Sequence, residues 1–390
     1  MSKFSKIHVI GCGQVGSVLS RYFIQGNYSV SVFESPYRKR ISQHPWGWMR
    51  RVTLQQEARI RRPLKELDIS TKHKVEGPMI ISTYSRERYS KWKAWLEKTK
   101  DTDARILGQQ ESVETYHRKE PYNLLCDSRD FLYDFGANRN DYVEDIKADA
   151  DQFTTKNISR FEWFHGKIIC MVDDEGMVYP IKENEKVILC IGNETRRFVN
   201  VPTVGVRLGY SIHDYFQRPS TIPYIACWSD TSSVQYFPHY TKVGCGMVGK
   251  LDYLPPVKYW SRFVPLWTKS NYYSFQPLQE QVQRACQEVH VPYHETLGCT
   301  VDITPNFLPM ILPIGENLVV VCGMSGSGFT VYEWWFQNLV EKVLFQPDLP
   351  HCFNGKTISE NLQETQVRTR FKRKNKIRAG LIMIPKNQSR

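Results

Sequence analysis

No Cys-x-x-Cys pair occurs in this sequence, and none of its ten cysteines clusters with histidines at metal-ligand spacing. That removes the common zinc frameworks, and no metal is expected. The cysteines sit in apolar runs such as "VILC" and "VVVC", where a free thiol packs as a small hydrophobe. No apolar stretch reaches membrane-span length, and the opening "MSKFSKIHVIG" turns glycine-rich too soon for a signal peptide. A cytoplasmic protein with reduced thiols is therefore expected. Internal repeats, zinc fingers, an RRM-like aromatic signature and a KH loop are all missing. The net charge of +12, carried partly by "ARIRR" and by the tail from Arg368 to Arg378, thus reads as basic surface that attracts an anionic substrate or membrane. Nucleic acid is not expected as a partner.

What is present begins at His8 with "HVIGCGQVGSVLS", in which Gly11, Gly13 and Gly16 stand at the spacing G-x-G-x-x-G. A β-branched run precedes the glycines, and a helix-periodic run follows and stops at Gly26-Asn27. "YSVSVFE" then alternates as a second strand and ends on Glu34. A carboxylate there, about 20 residues beyond the glycines, is where a ribose hydroxyl is held. Glycines permit the tight turn and the close approach of backbone to a pyrophosphate, with Gln14 and Val15 opening the helix whose N-terminus faces the charge. The unit predicts binding of an adenine dinucleotide.

Beyond this unit the doubly wound pattern stops. An Arg- and Trp-rich stretch follows, then a strand "PMIIST" and a charged helix "RERYSKWKAWLEKTK". Strands resume at "FTTKNISRFEWF", "GKIICMVD" and "EKVILCIGNET", the last reaching Gly192, and residues 202–249 read as β-rich. Near the far end a strand, a second glycine-rich turn (Gly323, Gly326, Gly328) and a helix recur. A nucleotide unit at one end and a glycine turn at the other predict a discontinuous domain. FAD is long enough to need both.

These motifs, in this order, resemble the D-amino-acid oxidase superfamily of FAD-dependent oxidoreductases, and within it the sarcosine oxidase and N-methyl-amino-acid oxidase branch. The resemblance runs from Lys6 to about Phe345. "SQHPWGWMRR" is similar to a segment beneath the flavin that includes Ser42, and "KNISRFEWF" to a strand whose Ile158 position meets the adenine through its backbone. "CTVDITPNFLPMI" and "VVVCGMSGSGFT" resemble the later flavin segments, the second contributing Gly323, Ser325, Gly326, Ser327, Gly328, Phe329 and Thr330. The resemblance implies an α/β fold: a discontinuous Rossmann-like FAD-binding domain (1–75, 140–215, 290–365) with an interleaved β-sheet-rich α+β substrate domain (76–139, 216–289). Residues 366–390 are left as a basic tail.

By the same resemblance Cys299 stands where the flavin 8α-methyl is bonded to cysteine in sarcosine-oxidase-like members. Whether this thiol is bonded or simply buried stays open. Lys250 stands where a lysine helps reduced flavin meet oxygen, by placing positive charge beside developing negative charge. Arg50 and Arg51 stand near the flavin face and the substrate carboxylate, and which does which is open by one residue of register. Three positions depart from the family pattern: Ser327 replaces a histidine, Thr330 a carboxylate-binding lysine, and Asn306 an aspartate.

The expected activity is oxidation of a secondary or cyclic amine, or an amino acid, to an imine, with hydride transfer to flavin and oxygen as acceptor. The expected protein is a monomer or small homo-oligomer. A flavin-dependent dehydrogenase with another acceptor, an NAD(P)-dependent dehydrogenase and a catalytically degenerate basic binding protein are the alternatives.

Overall fold

In a computed structural model of the chain the described residues are 6–36, 48–49, 71–99, 104–126, 131–214, 218–245, 250–254, 257, 277–304, 309–325, 331–332, 334–346, 352–353 and 356–357.

Ile7–Ile10, Val30–Phe33, Lys186–Leu189 and Leu318–Cys322 are runs of aliphatic and β-branched residues buried almost throughout, as interior strands of a parallel sheet must be. Together with Gln152–Thr154 and Met310–Ile314 they make a six-stranded sheet. Its order is Met310–Ile314, Leu318–Cys322, Lys186–Leu189, Ile7–Ile10, Val30–Phe33, Gln152–Thr154. Neighbours run parallel except for the Met310–Ile314 hairpin at one edge. The register pairs Ile7 with Lys186 and Val187 with Leu318, so distant stretches of chain meet at the sheet centre.

One face of this sheet is covered by the helices Gln14–Gln25, Phe135–Asp149 and Trp334–Phe345, whose Leu19, Phe23, Val143, Ile146, Phe336 and Val340 share a core. The opposite face is covered by a three-stranded sheet of Ile158–Phe164, Lys167–Asp173 and Val178–Pro180. Local chemistry sets the helix ends. Asp134 caps Phe135–Asp149 by accepting the Ala137 N–H at 2.9 Å. The first helix stops where Asn27 adopts φ 61°, a left-handed conformation asparagine tolerates. Glu341 on the last helix takes hydroxyl hydrogen bonds from Tyr22 and Tyr28, each at 2.5 Å.

A second, nine-stranded sheet runs in the order Lys250–Tyr253, Val204–His213, Thr241–Gly244, Ser233–Tyr236, Ala226–Trp228, Met79–Thr83, Tyr122–Cys126, Ala104–Ile106, with Leu297–Ile303 also paired to Val204–His213. Residues 140–215 thus give strands to both large sheets, and Leu297–Ile303 of the second sheet is followed by Met310–Ile314 and Leu318–Cys322 of the first, so the chain passes between them more than once. The helix Arg86–Thr99 covers one face through Trp92 and Trp95, and Leu278–Glu288 covers the other through Val282 and Ala285. Among the described residues no helix is long and apolar enough to cross a membrane.

Candidate functional site

The glycine loop joins Ile7–Ile10 to the helix Gln14–Gln25. Gly11 takes φ 93°, and a Cβ there would lie 2.7 Å from the Cys190 carbonyl oxygen. At Gly16 a Cβ would lie 1.7 Å from the Gly11 carbonyl oxygen, so the helix approaches its own loop as closely as backbone permits. Gly13 caps the helix without a side-chain hydrogen bond, which leaves the first helical N–H groups available to an anion. Gln14 hydrogen-bonds Tyr332, and Val15 packs on the core. Tyr332 also accepts from Asn138 at 3.3 Å. These bonds tie the loop to both the 135–149 helix and the C-terminal segment.

Glu34 follows the second strand, is 6% exposed, and is anchored through its N–H to the Thr154 carbonyl. A residue outside the sequence expectations holds its carboxylate. Arg139, 5% exposed, donates from Nη2 to Glu34 Oε1 at 2.5 Å and from Nε to the Cys12 carbonyl at 2.8 Å. One guanidinium therefore sets both the loop and the acidic side chain. Ile158, buried, begins the next strand just beyond Thr154.

The second turn is built as tightly. Gly323 takes φ 63° where a Cβ would meet Thr304 Cγ2 at 2.5 Å. Ser325, at φ 51°, accepts the Thr304 N–H at Oγ (2.9 Å) and gives its own N–H to the Asp302 carbonyl (3.0 Å). The turn is thereby clipped to the end of Leu297–Ile303, the strand that carries Cys299. Gly192 opens the 3-10 turn Gly192–Arg197 after the Lys186–Leu189 strand.

Cys299 is 6% exposed, and burial pushes its thiol up to about 11, with Lys242 pulling the other way. Asp302 is also buried. Burial raises its carboxyl to about 7 against the pull of Arg196. Its Oδ1 accepts from the Tyr253 hydroxyl, and its Oδ2 has no hydrogen-bond partner among the described residues. Tyr253 in turn lies under the Arg196 guanidinium, 3.4 Å from its ring centroid.

Lys250 is not brought to Cys299. It pairs in register with Arg207, as Thr300 does, whereas Cys299 pairs with Leu208. Strand alternation therefore puts Lys250 and Cys299 on opposite faces, and Lys250 is exposed. The lysine on the Cys299 face is Lys242, 1% exposed, with its ammonium 4.3 Å from the Tyr210 ring centroid. Arg50, Arg51, Ser42, Gly326, Ser327, Gly328, Phe329 and Thr330 lie outside the described residues, as does the basic tail. Among the described residues no three His, Cys, Asp or Glu side chains converge as a metal site would require.

No protein-family model and no curated protein sequence matches the chain. Solved structures do. Fructosamine oxidase from Aspergillus fumigatus (Amadoriase II) superposes with a TM-score of 0.67 at 14% identity, over 94% of this chain and 93% of that one. L-amino acid deaminase from Proteus vulgaris gives 0.64 at 12%, over 88% and 94%. L-proline dehydrogenase from P. horikoshii gives 0.59 at 14%, over 90% and 96%. These likenesses span nearly the whole of each chain, and the fold of this protein is the one these three structures share.

Proposed function

We propose that this chain is an FAD-dependent oxidoreductase that oxidises the C–N bond of a small amine or amino acid. The observation that carries the reading is the pair of tight turns, Gly11–Gly16 and Gly323–Ser325, at the ends of parallel strands of one sheet. A long cofactor spanning a discontinuous Rossmann-like domain would need both.

The residues present fit that group. Gly16 leaves no room for a Cβ, the helix N-terminus has no side-chain cap, and Glu34 is held at a strand end by Arg139. In this reading the loop and helix N-terminus take the pyrophosphate, Glu34 takes the ribose, and the backbone at Ile158 meets the adenine. Gly192, Gly323 and Ser325, with 326–330, carry the flavin end, and Cys299 is the candidate for its covalent attachment. When bound, the flavin supplies the two-electron acceptor for the substrate's α-C–H. The protein's part is to orient the amine, exclude water behind a buried aromatic wall such as Tyr210, and set the charge around it. Arg50 or Arg51 is the candidate for the substrate carboxylate. Oxygen is the proposed acceptor, and a cytoplasm-like compartment accords with the cysteines whose side chains are described, all buried and none in a disulfide.

A second reading, in which electrons leave to a carrier other than oxygen, is favoured by the place of Lys250 on the face opposite Cys299. Absorption spectra of the purified protein, before and after acid precipitation, test the first. Yellow colour retained in the pellet supports a flavin bonded to Cys299, and colour released to the supernatant a non-covalent one. A colourless protein that takes up no FAD refutes the proposal. Substrate turnover followed with oxygen and with an artificial dye then separates the two acceptors.

A further inference from the structure

Three segments that the proposed function gives to the flavin end of the cofactor meet at one carboxyl group. Asp302 lies on Leu297–Ile303, the strand of Cys299, and its backbone carbonyl accepts the Ser325 N–H of the second turn at 3.0 Å. Its side chain is close enough to Cys322, the residue before Gly323, for its charge to help push that thiol up. Tyr253 and Asp302 both pair with Gly205, from strands on either side of Val204–His213. A Cβ on Gly205 would lie 2.0 Å from Tyr253 Cε1, so the bare glycine lets the Tyr253 ring cross to Asp302 and donate its hydroxyl to Oδ1. Arg196, from the turn that Gly192 opens, roofs the same ring at 3.4 Å.

This carboxyl is buried without the partners an anion needs. Asp302 is 6% exposed and Tyr253 9%. The Asp302 Oδ2 has no hydrogen-bond partner. A buried carboxylate is tolerated when donors surround it, and an open oxygen is a costly place for charge. The charged groups facing it are placed elsewhere. Arg196 lies over the Tyr253 ring rather than against Oδ2. Asp252, beside Tyr253, is held by Arg207 at 3.0 Å and by Thr300 at 2.6 Å, and Glu194 of the 192–197 turn pairs with Arg197. Cys322 is a neutral thiol. Burial therefore outweighs the pull of Arg196 and raises the carboxyl to about 7, so Asp302 changes charge near neutral pH. A bound dinucleotide brings the negative charge of its pyrophosphate and shuts out water, and both disfavour a carboxylate here still further.

We propose that Asp302 couples a proton to FAD binding, its carboxyl being neutral when the two turns hold the flavin end and its ionisation opposing that hold. This rests on the flavin function proposed above. Asp302 is a positioning residue, acting on the second turn through Ser325 and, by way of Tyr253 and Arg196, on the turn that Gly192 opens. By linkage FAD binds most tightly at low pH, and its affinity falls as pH rises through the range in which Asp302 ionises.

The test uses the full chain stripped of flavin and titrated with FAD, affinity being read from flavin fluorescence between about pH 6 and about pH 8.5, in wild type, Asp302→Asn and Tyr253→Phe. Where acid precipitation shows a bonded flavin, all three chains also carry Cys299→Ser. The wild-type affinity should fall by about tenfold or more over that range, the ceiling being about 30-fold for a carboxyl that titrates near 7. Asp302→Asn, neutral throughout, should bind FAD with an affinity that changes by less than about twofold. Tyr253→Phe removes a hydrogen bond to the charged form and should move the fall about one pH unit higher, which a merely structural role would not do. Should Asp302→Asn take up no FAD, the shift in Tyr253→Phe decides, its presence supporting the coupling and its absence overturning it. A wild type that binds FAD with constant affinity, or a fall that both variants share unchanged, overturns this inference alone. A wild type that takes up no FAD overturns the functional reading and this inference with it.

Discussion

Replacing Lys242 by methionine keeps an unbranched side chain of similar length and removes one buried charge. Lysine ordinarily loses its proton near 10.5, and in the folded protein burial lowers this to about 8. Cys299 and Asp134 pull the other way without offsetting the burial. Below pH 8 both folded and unfolded chains hold the proton, but the folded chain holds it more weakly, so the charge subtracts from stability. That cost is fully present below about 8, fades as pH rises toward 10.5, and vanishes once lysine is neutral in both states. Its size is about 3 kcal/mol at pH 7. Lys242→Met should therefore be the more stable protein at pH 7 by about 3 kcal/mol, with the gap closing near pH 10.5. Guanidinium unfolding of both chains at neutral and alkaline pH measures this, since tyrosines and thiols that titrate in the same range are common to both. A variant no more stable than wild type at pH 7, or a gap that ignores pH, would refute the reasoning.

Asp302→Asn should behave with the opposite pH sense. Burial raises the Asp302 carboxyl from 3.8 to about 7, so the folded state is penalised above about 7 and the penalty disappears as pH falls toward 3.8. The neutral amide should stabilise the protein by a few kcal/mol, about 4 at most, at pH 8 and by almost nothing at pH 4, in denaturation at the two pH values. A stabilisation that is equal at both would dismiss the titration of Asp302 as its cause. Gly16→Ala should abolish FAD uptake, because its Cβ has only the Gly11 carbonyl oxygen, 1.7 Å away, to occupy. The backbone must shift at a cost of about 3 kcal/mol or more, read as lost yellow colour and a lower unfolding midpoint. Normal FAD content in this variant would show that the loop is looser than its geometry.

Much of the first unit was legible because strand, turn, helix and acid stand close together in sequence and each obeys a local rule. "KIHVIG", "YSVSVFE" and the glycines needed no distant partner to be read, and "PMIIST" and "RERYSKWKAWLEKTK" became Met79–Thr83 and Arg86–Thr99. The strand expected through "EKVILCIGNET" ends at Leu189, because Gly192 turns into a 3-10 helix. Arg139 could not be singled out. It lies among ordinary charged helix residues, and only the packing of that helix against the glycine loop brings it to Glu34. The two lysines make the same point from the other side. "HYTKVGCGMVGKLDY" offers both, and resemblance chose Lys250; register and alternation bury Lys242 and expose Lys250. Those are tertiary facts, fixed by strands paired across long separations.

The central sheet also has a history in time. Its Leu318–Cys322 strand pairs with Lys186–Leu189, and Glu341 closes over Tyr22 and Tyr28. During synthesis at about 5–20 residues per second, roughly ten seconds separate the making of those two strands. Until the later one emerges, the edge of Lys186–Leu189 presents unpaired backbone and aliphatic side chains. A nascent chain of this protein must therefore wait with its six-stranded sheet open, a long interval in which chaperones have a natural target.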